Sequence, residues 1–505
     1  MSLRKLLQIG AGLFFLLVAF YTLFNKLGDN PLNIWDEARL ANNAIEMIDN
    51  GDYIVTHYEG EPDMWCTKPP LMVWFQVASI NLIGYNELAI RLPSAIAGLL
   101  TCFALMFFSK RIFGNYLIGY TASYVLLGLN AYVGFHVTRT GDHDAILILF
   151  TTIMVLSAYT FIVTRENKYL YLAAIGLTLG MYAKGVAAGF FVPVIAVWVL
   201  VSVPPKSIFK NIHFYLAFSI VVIVGLGYYA LRESQNPGFI TAVFENELGG
   251  RFNEAIDNNG GSFSYYFTQL VEKNIKYWNG FLIGALLFFG FVKSKEVNPT
   301  RRLVLYLTTC VVFIILVLSA SATKNGWYDS QVYPLIALIV GCFIYHIIKA
   351  VTDKYHKPEL LTAAILLSIF VYPIYTTIKQ SFTVDEYRNK DNRYGPYTER
   401  LADEFPEMKS YGLVTNKYSA TAKFFSDVYN NQKGYDIKAK LTDSLAVGDT
   451  IALCEPDVRE RVDGRYSYKV LDDFNGCGLL ILTHDKVLDT ATTKADSSSL
   501  ISNNR

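Results

Sequence analysis

A helix needs roughly 20 mostly apolar residues to cross the hydrocarbon core of a bilayer, and this chain supplies such stretches repeatedly. They lie at 6–24, 89–108, 116–135, 144–163, 169–182, 186–203, 214–231, 277–291, 303–320, 332–348 and 360–378. The stretch 71–83 is too short to cross comfortably and is expected in the interface. The first span follows Arg4 and Lys5, exceeds a signal-peptide core and has no small-residue cleavage site before Asn25, so it reads as a retained anchor. The charged fraction of 17% agrees, since soluble domains carry roughly 25%.

Charge patterning sets the orientation. With the N-terminus inside, the inside loops are 109–115, 164–168, 204–212, 293–302 and 349–359, and each holds at least two lysines or arginines. That repeated bias is the positive-inside rule. The outside loop 25–87 holds about ten acidic residues against about three basic ones. Net charge is only +1, which leaves no electrostatic footprint for nucleic acid.

From residue 380 the chain turns polar and is expected outside, as a small α/β domain over 380–488. Strands are expected at 411–414, 450–453 and 478–483, with a helix at 419–430. Cys454 and Cys477 fall within it, and their spacing is compatible with a disulfide or with two free thiols. Residues 489–505 are rich in Ser, Thr and Asn and are expected to be disordered. No CxxC pair, zinc spacing, Walker, Rossmann or nucleophile-elbow motif is present.

The remaining charges gather at outside helix ends. Trp35-Asp36-Glu37-Ala38-Arg39 opens an amphipathic helix, where acidic residues also suit the helix dipole. Lys68 precedes Pro69-Pro70, a position that also suits a snorkelling anchor. Asp142-His143-Asp144 leads into an apolar span, and acidic groups at that depth are costly unless paired or functional. Lys184, Glu245 to Arg251 and Lys324 to Tyr328 repeat the theme. Cations and carboxylates on one membrane face suit a substrate with an apolar tail and an anionic head: Lys and Arg hold a phosphate, and a carboxylate activates a hydroxyl. Trp35, Trp65, Trp74, Trp327 and Tyr328 suit stacking on sugar as well as an interfacial aromatic belt.

Four segments in order, Asp36-Glu37-Ala38-Arg39, Gly51-Asp52-Tyr53-Ile54-Val55, Lys68-Pro69-Pro70-Leu71 and Asn86 to Ser94, resemble the protein O-mannosyltransferase and lipid A aminoarabinose transferase family, membrane glycosyltransferases of the GT-C superfamily. Weaker echoes are Arg139 with Asp144, Lys184-Gly185, Arg251-Phe252 and Tyr328 to Pro334, so the resemblance covers residues 30 to 340. It implies a polytopic α-helical membrane enzyme of eleven to thirteen spans over 1–379, whose first outside loop, 25–88, is catalytic and which precedes the extracytoplasmic α/β domain. The donor is a polyprenyl-phosphate sugar, undecaprenyl phosphate in a bacterium, and the acceptor a lipid such as lipid A, or a protein. The site faces the periplasm of a bacterial inner membrane, and inverting direct displacement is the expected chemistry.

By the same resemblance Asp36 is the general base, Glu37 its helper and Asp144 a second acidic residue, while Arg39, Lys68, Lys184 and Arg251 bind the donor phosphate. Trp35, Asp142, Lys324 and Tyr328 line the substrate. The loop is more acidic than the family pattern, which leaves Asp142 and Asp144 both open as the functional carboxylate. No cofactor is indicated with certainty; a divalent cation bridging Asp36 or Asp144 to the phosphate is compatible, but the sequence offers no dedicated cage. A transporter or lipid flippase is the competing class, and it would place ionisable groups near the bilayer midplane.

Overall fold

The computed structural model describes residues 3–33, 35–134, 136–250, 259–354, 358–382, 393–416 and 418–486. The chain forms two compact units. One comprises residues 1–27, 46–79 and 88–383, the other 28–45, 80–87 and 384–505.

The first unit is helical. Among the described residues seven helices are long and apolar enough to cross a membrane: Glu87–Phe113, Asp144–Thr164, Lys168–Ser202, Ile212–Gln235, Asn298–Ala320, Tyr328–Thr352 and Leu361–Phe382. Shorter apolar helices run over Ile9–Phe24, Leu71–Ile83 and Leu117–Leu127. The protein is therefore an integral membrane protein. The expected spans 169–182 and 186–203 form a single helical run of 35 residues, far more than the roughly 20 that one crossing needs. Gly185, at φ +55°, interrupts that run.

Helix Asp144–Thr164 is buried nearly throughout, as the centre of a bundle requires. Lys168–Ser202 and Ile212–Gln235 turn most of their apolar side chains outward, Val201 and Ile223 among them. Exposed apolar helix faces suit lipid as the neighbour. Close packing inside depends on small residues. A Cβ on Gly341 would lie 2.8 Å from the Ala122 backbone nitrogen, and Thr121 Oγ1 donates to the Gly341 carbonyl at 3.1 Å.

A two-stranded hairpin, β1 (His57–Tyr58) and β2 (Glu61–Pro62), lies between helices. Its turn residues Glu59 and Gly60 both have positive φ, and their N–H groups donate to the Glu46 carboxylate at 2.6 and 3.0 Å. This arrangement fixes the chain just upstream of Lys68.

The second unit carries a five-stranded sheet of order β4-β3-β5-β7-β6, made of β3 (Ser410–Thr415), β4 (Asp436–Leu441), β5 (Thr450–Leu453), β6 (Tyr466–Phe474) and β7 (Cys477–Asp485). The β3 strand runs parallel to β4 and β5, whereas β7 is antiparallel to β5 and β6. Between β3 and β4 lies helix Ala420–Lys433, capped at its start by the Ser419 hydroxyl and closed by left-handed Gly434. Asn475-Gly476, both at positive φ, join β6 to β7, as a tight hairpin turn requires. The β5/β7 register pairs Leu453 with Gly478, so Cys454 and Cys477 oppose each other one step along, and they are disulfide-bonded. Strands β4 and β6 and helix Pro456–Arg465 are additional to the sequence reading. Residues 489–505 lie outside the described residues.

Candidate functional site

Asp63 and a proline pair set Lys68 in place. The Asp63 carboxylate accepts from the N–H groups of Trp65 and Cys66 at 3.0 and 3.2 Å, turning the chain toward Lys68. Pro69 and Pro70 then lead into helix Leu71–Ile83. Buried Arg232 braces the same loop: Nη1 donates to Thr56 Oγ1 at 3.2 Å and Nη2 to the Asp63 carbonyl at 3.3 Å. Lys68 Nζ lies 3.0 Å from Glu247 Oε1, which also accepts from Thr67 Oγ1 at 2.9 Å. Glu247 sits in a π-helical segment, Phe244–Gly250, a backbone form often found at functional sites.

The second ion pair closes a helix hairpin. Asp144 begins one helix and Lys184 ends the next, so antiparallel packing returns Lys184 to Asp144, with Nζ to Oδ2 at 2.6 Å. Both groups are largely buried. The Tyr328 ring lies beneath the Lys184 ammonium at 5.5 Å, within cation–π range.

Between these pairs stands the loop of Asp142 and His143, both buried. Gln76 Nε2 donates to the Gly141 carbonyl at 3.2 Å and Ser94 Oγ to that of Asp142 at 3.2 Å. Gly141 permits this approach, because a Cβ there would lie 2.5 Å from Ile90 Cγ2 and 2.9 Å from Ile90 O. The Asp142 carboxylate binds His136 Nδ1, and the His136 ring stacks on Trp327 at 3.6 Å. Burial opposes charge on Asp142, but His136 and Lys184 outweigh it and hold its pKa well below the usual carboxylate range. Burial pushes the His143 imidazole down to about 3, so the ring is neutral near pH 7, with Lys68, Lys184, Asp142 and Glu247 all close enough to act on it. His143 Nδ1 is buried and has no hydrogen-bond partner among the described residues.

In the other unit, Trp35 is exposed and stacks on Tyr418 at 6.0 Å. Asp36 is exposed at the first residue of helix Asp36–Asn50. Glu37 is buried and reaches back, its Oε2 accepting from the Asn33 backbone N–H at 2.8 Å and from Asn33 Nδ2 at 2.5 Å. Such a contact ties down the helix start. The Arg39 guanidinium lies 5.4 Å from the centre of the Tyr418 ring.

The first unit thus brings together Lys68, Asp142, Asp144, Lys184 and Tyr328 around a neutral histidine, while Trp35, Asp36, Glu37 and Arg39 belong to the second. Lys324 is committed elsewhere: its ammonium donates to the carbonyls of Leu318, Ser319 and Ser321 at 2.9, 2.8 and 2.5 Å, capping helix Asn298–Ala320. All three of its protons are taken there, which is a helix-capping role. Arg251 lies outside the described residues. The sequence reading gave no role to His136 or Glu247. The one signal for His136 was its place just past an apolar span, and Glu247 stood among other polar loop residues without a distinguishing pattern.

The family model described as dolichyl-phosphate-mannose-protein mannosyltransferase matches residues 67–228, a stretch that contains Lys68, Asp142, Asp144 and Lys184. An uncharacterized protein of Aquifex aeolicus is 25% identical over 322 residues, covering 64% of this chain and 61% of that protein. The undecaprenyl phosphate-alpha-4-amino-4-deoxy-L-arabinose arabinosyl transferase of Aeromonas salmonicida is 28% identical over 360 residues, covering 68% and 61%. The chain thus spans 61% of the length of these curated relatives. The crystal structure of ArnT from Cupriavidus metallidurans bound to undecaprenyl phosphate superposes with a TM-score of 0.69 at 17% identity, over 94% of this chain and 98% of that one. The helical membrane unit and the sheet domain thus share their fold with that ArnT structure, and the sequence is similar to mannosyl- and arabinosyltransferases over the stretches that match.

Proposed function

We propose that the protein transfers a sugar from undecaprenyl phosphate to a lipid or protein acceptor at the periplasmic face of a bacterial inner membrane. The observation that carries the reading is the pair of partly buried lysines, Lys68 and Lys184, each held by a carboxylate beside neutral His143. The likeness to a fold solved with undecaprenyl phosphate and the similarity to arabinosyl transferases support the donor class.

In direct displacement an acceptor oxygen attacks the anomeric carbon while negative charge builds on the departing phosphate. Lysines fixed in advance stabilise that charge without reorganising, and they do so best where water is scarce. Asp144 holds Lys184 charged and oriented, which makes Asp144 a positioning residue. Asp142 remains ionised and adds negative charge beside the lysines, favouring release of phosphate after transfer. Tyr328, already beneath the Lys184 ammonium, offers a ring face for the sugar. Exposed Asp36 is the base for a hydroxyl acceptor, with Glu37 holding its helix start; a phosphate acceptor needs no strong base. One displacement inverts the sugar carbon.

The test is transfer by the purified protein from an undecaprenyl-phosphate sugar, comparing wild type with Asp36→Asn and Lys68→Ala. Loss in Lys68→Ala with either acceptor class, and in Asp36→Asn with hydroxyl acceptors only, is the expected outcome. Undiminished transfer by both variants refutes the site.

A further inference from the structure

The second unit contains a cavity of about 310 Å³, at the lower end of the range of small-molecule sites and large enough for one monosaccharide. Its walls come from the 28–31 segment, Glu87, the start of helix Tyr394–Glu404 and helix Ala420–Lys433. Phe425 and Tyr429 form an aromatic wall, and Asp29, Glu87 and Glu399 supply carboxylates against the one ammonium of Lys433. Lys433 Nζ lies 4.6 Å from the centre of the Tyr429 ring, so the ring face already accommodates a primary ammonium. Burial first, then the negative charge of Glu399, Asp403 and Glu87, drives the Tyr429 hydroxyl pKa upward. Glu399 is exposed and has no ion-pair partner among the described residues.

We infer that this cavity binds a small hydroxylated molecule carrying a protonated primary amine, its ammonium among the carboxylates and its body against Phe425 and Tyr429. An anion is disfavoured by the carboxylates of the lining, and a purely apolar ligand would leave the Glu399 carboxylate uncompensated. An amino sugar on a glycan and an ethanolamine-type lipid headgroup both supply this chemistry. None of these residues belongs to the Lys68 and Lys184 cluster, so the site goes beyond the sugar-transfer reading and stands without it.

Ligand-detected NMR on the full-length protein in detergent, titrated with glucosamine, ethanolamine, glucose and N-acetylglucosamine, tests the proposal. Saturable binding of an amine, about tenfold tighter than of either neutral sugar and weakened about tenfold by Glu399→Gln, is expected. Because Glu399 is exposed, the variant should keep the wild-type melting temperature. Preference for glucosamine assigns the site to a glycan, and equal binding of ethanolamine assigns it to a headgroup amine. Absence of saturable amine binding, equal binding of the neutral sugars, or an unaffected Glu399→Gln overturns the proposal.

Discussion

Replacing Lys184 with Met keeps an unbranched apolar stem one atom shorter and removes the charge, leaving Asp144 stranded at 2% side-chain exposure. At 2.6 Å the pair attracts by about 6 kcal/mol for an effective dielectric constant of 20. Desolvation of both groups offsets part of this, and removing one partner of a buried pair typically costs about 3–5 kcal/mol. Lys184→Met should therefore lower stability by about that amount, measured by thermal unfolding in detergent. Lys184→Met combined with Asp144→Asn removes both charges at similar volume and should recover most of the loss. The double variant should still transfer sugar poorly, because the phosphate ligand is gone. Additive losses from the two single changes would refute the claim that these residues act as one pair, and full transfer by the double variant would refute the role of Lys184.

His143 gives a pH signature. Its folded pKa of about 3 lies below the ordinary 6.5, so the unfolded chain binds more protons between those values, and stability rises with pH through that window by up to about 1.4 kcal/mol per unit. His143→Asn should flatten this slope in melting curves taken from pH 4 to 7. The depressed Asp142 acts in the same direction at lower pH, its contribution being present above the ordinary carboxylate range and lost as pH falls beneath it. Gly141→Ala should cost about 1–3 kcal/mol in thermal unfolding and reduce transfer, since its Cβ meets Ile90 backbone and side chain. Lys324→Met should cost about 1–2 kcal/mol through the lost helix cap while leaving the affinity for donor unchanged in a binding titration. Replacing Cys454 and Cys477 by Ser opens a loop of 23 residues and should lower stability of the sheet domain by about 3 kcal/mol, seen as a downshifted melting transition under non-reducing conditions.

The membrane class was legible because crossing a bilayer demands long apolar helices, and the repeated basic loops gave a consistent orientation to read. In the sheet domain, the central strands β3, β5 and β7 stood out through buried runs such as Leu413-Val414 and Leu479-Leu480. Edge strands β4 and β6 did not, because edges carry charge: Asp436, Lys438 and Lys440 in one, and Lys469, Asp472 and Asp473 in the other. Asn475-Gly476 was a hairpin signal that went unread. Within the first unit, Lys68, Asp144 and Lys184 were legible because a charge at the end of an apolar helix needs an explanation. Their partners were another matter. Glu247 lies 179 positions from Lys68, and the stacking of His136 on Trp327 joins residues 191 apart, so only the folded bundle reveals either contact. The capping role of Lys324 was equally hidden, because only the folded chain shows its ammonium donating to the last carbonyls of a helix.

The central claim is that Lys68 and Lys184 hold the phosphate of a polyprenyl donor. Its most direct test is equilibrium binding of undecaprenyl phosphate to the purified full-length protein, wild type against Lys68→Ala, by native mass spectrometry at matched lipid concentrations. A lost charged hydrogen bond of about 1.5–3 kcal/mol predicts that Lys68→Ala binds at least about tenfold more weakly. Equal retention of the lipid by the two proteins would contradict the account.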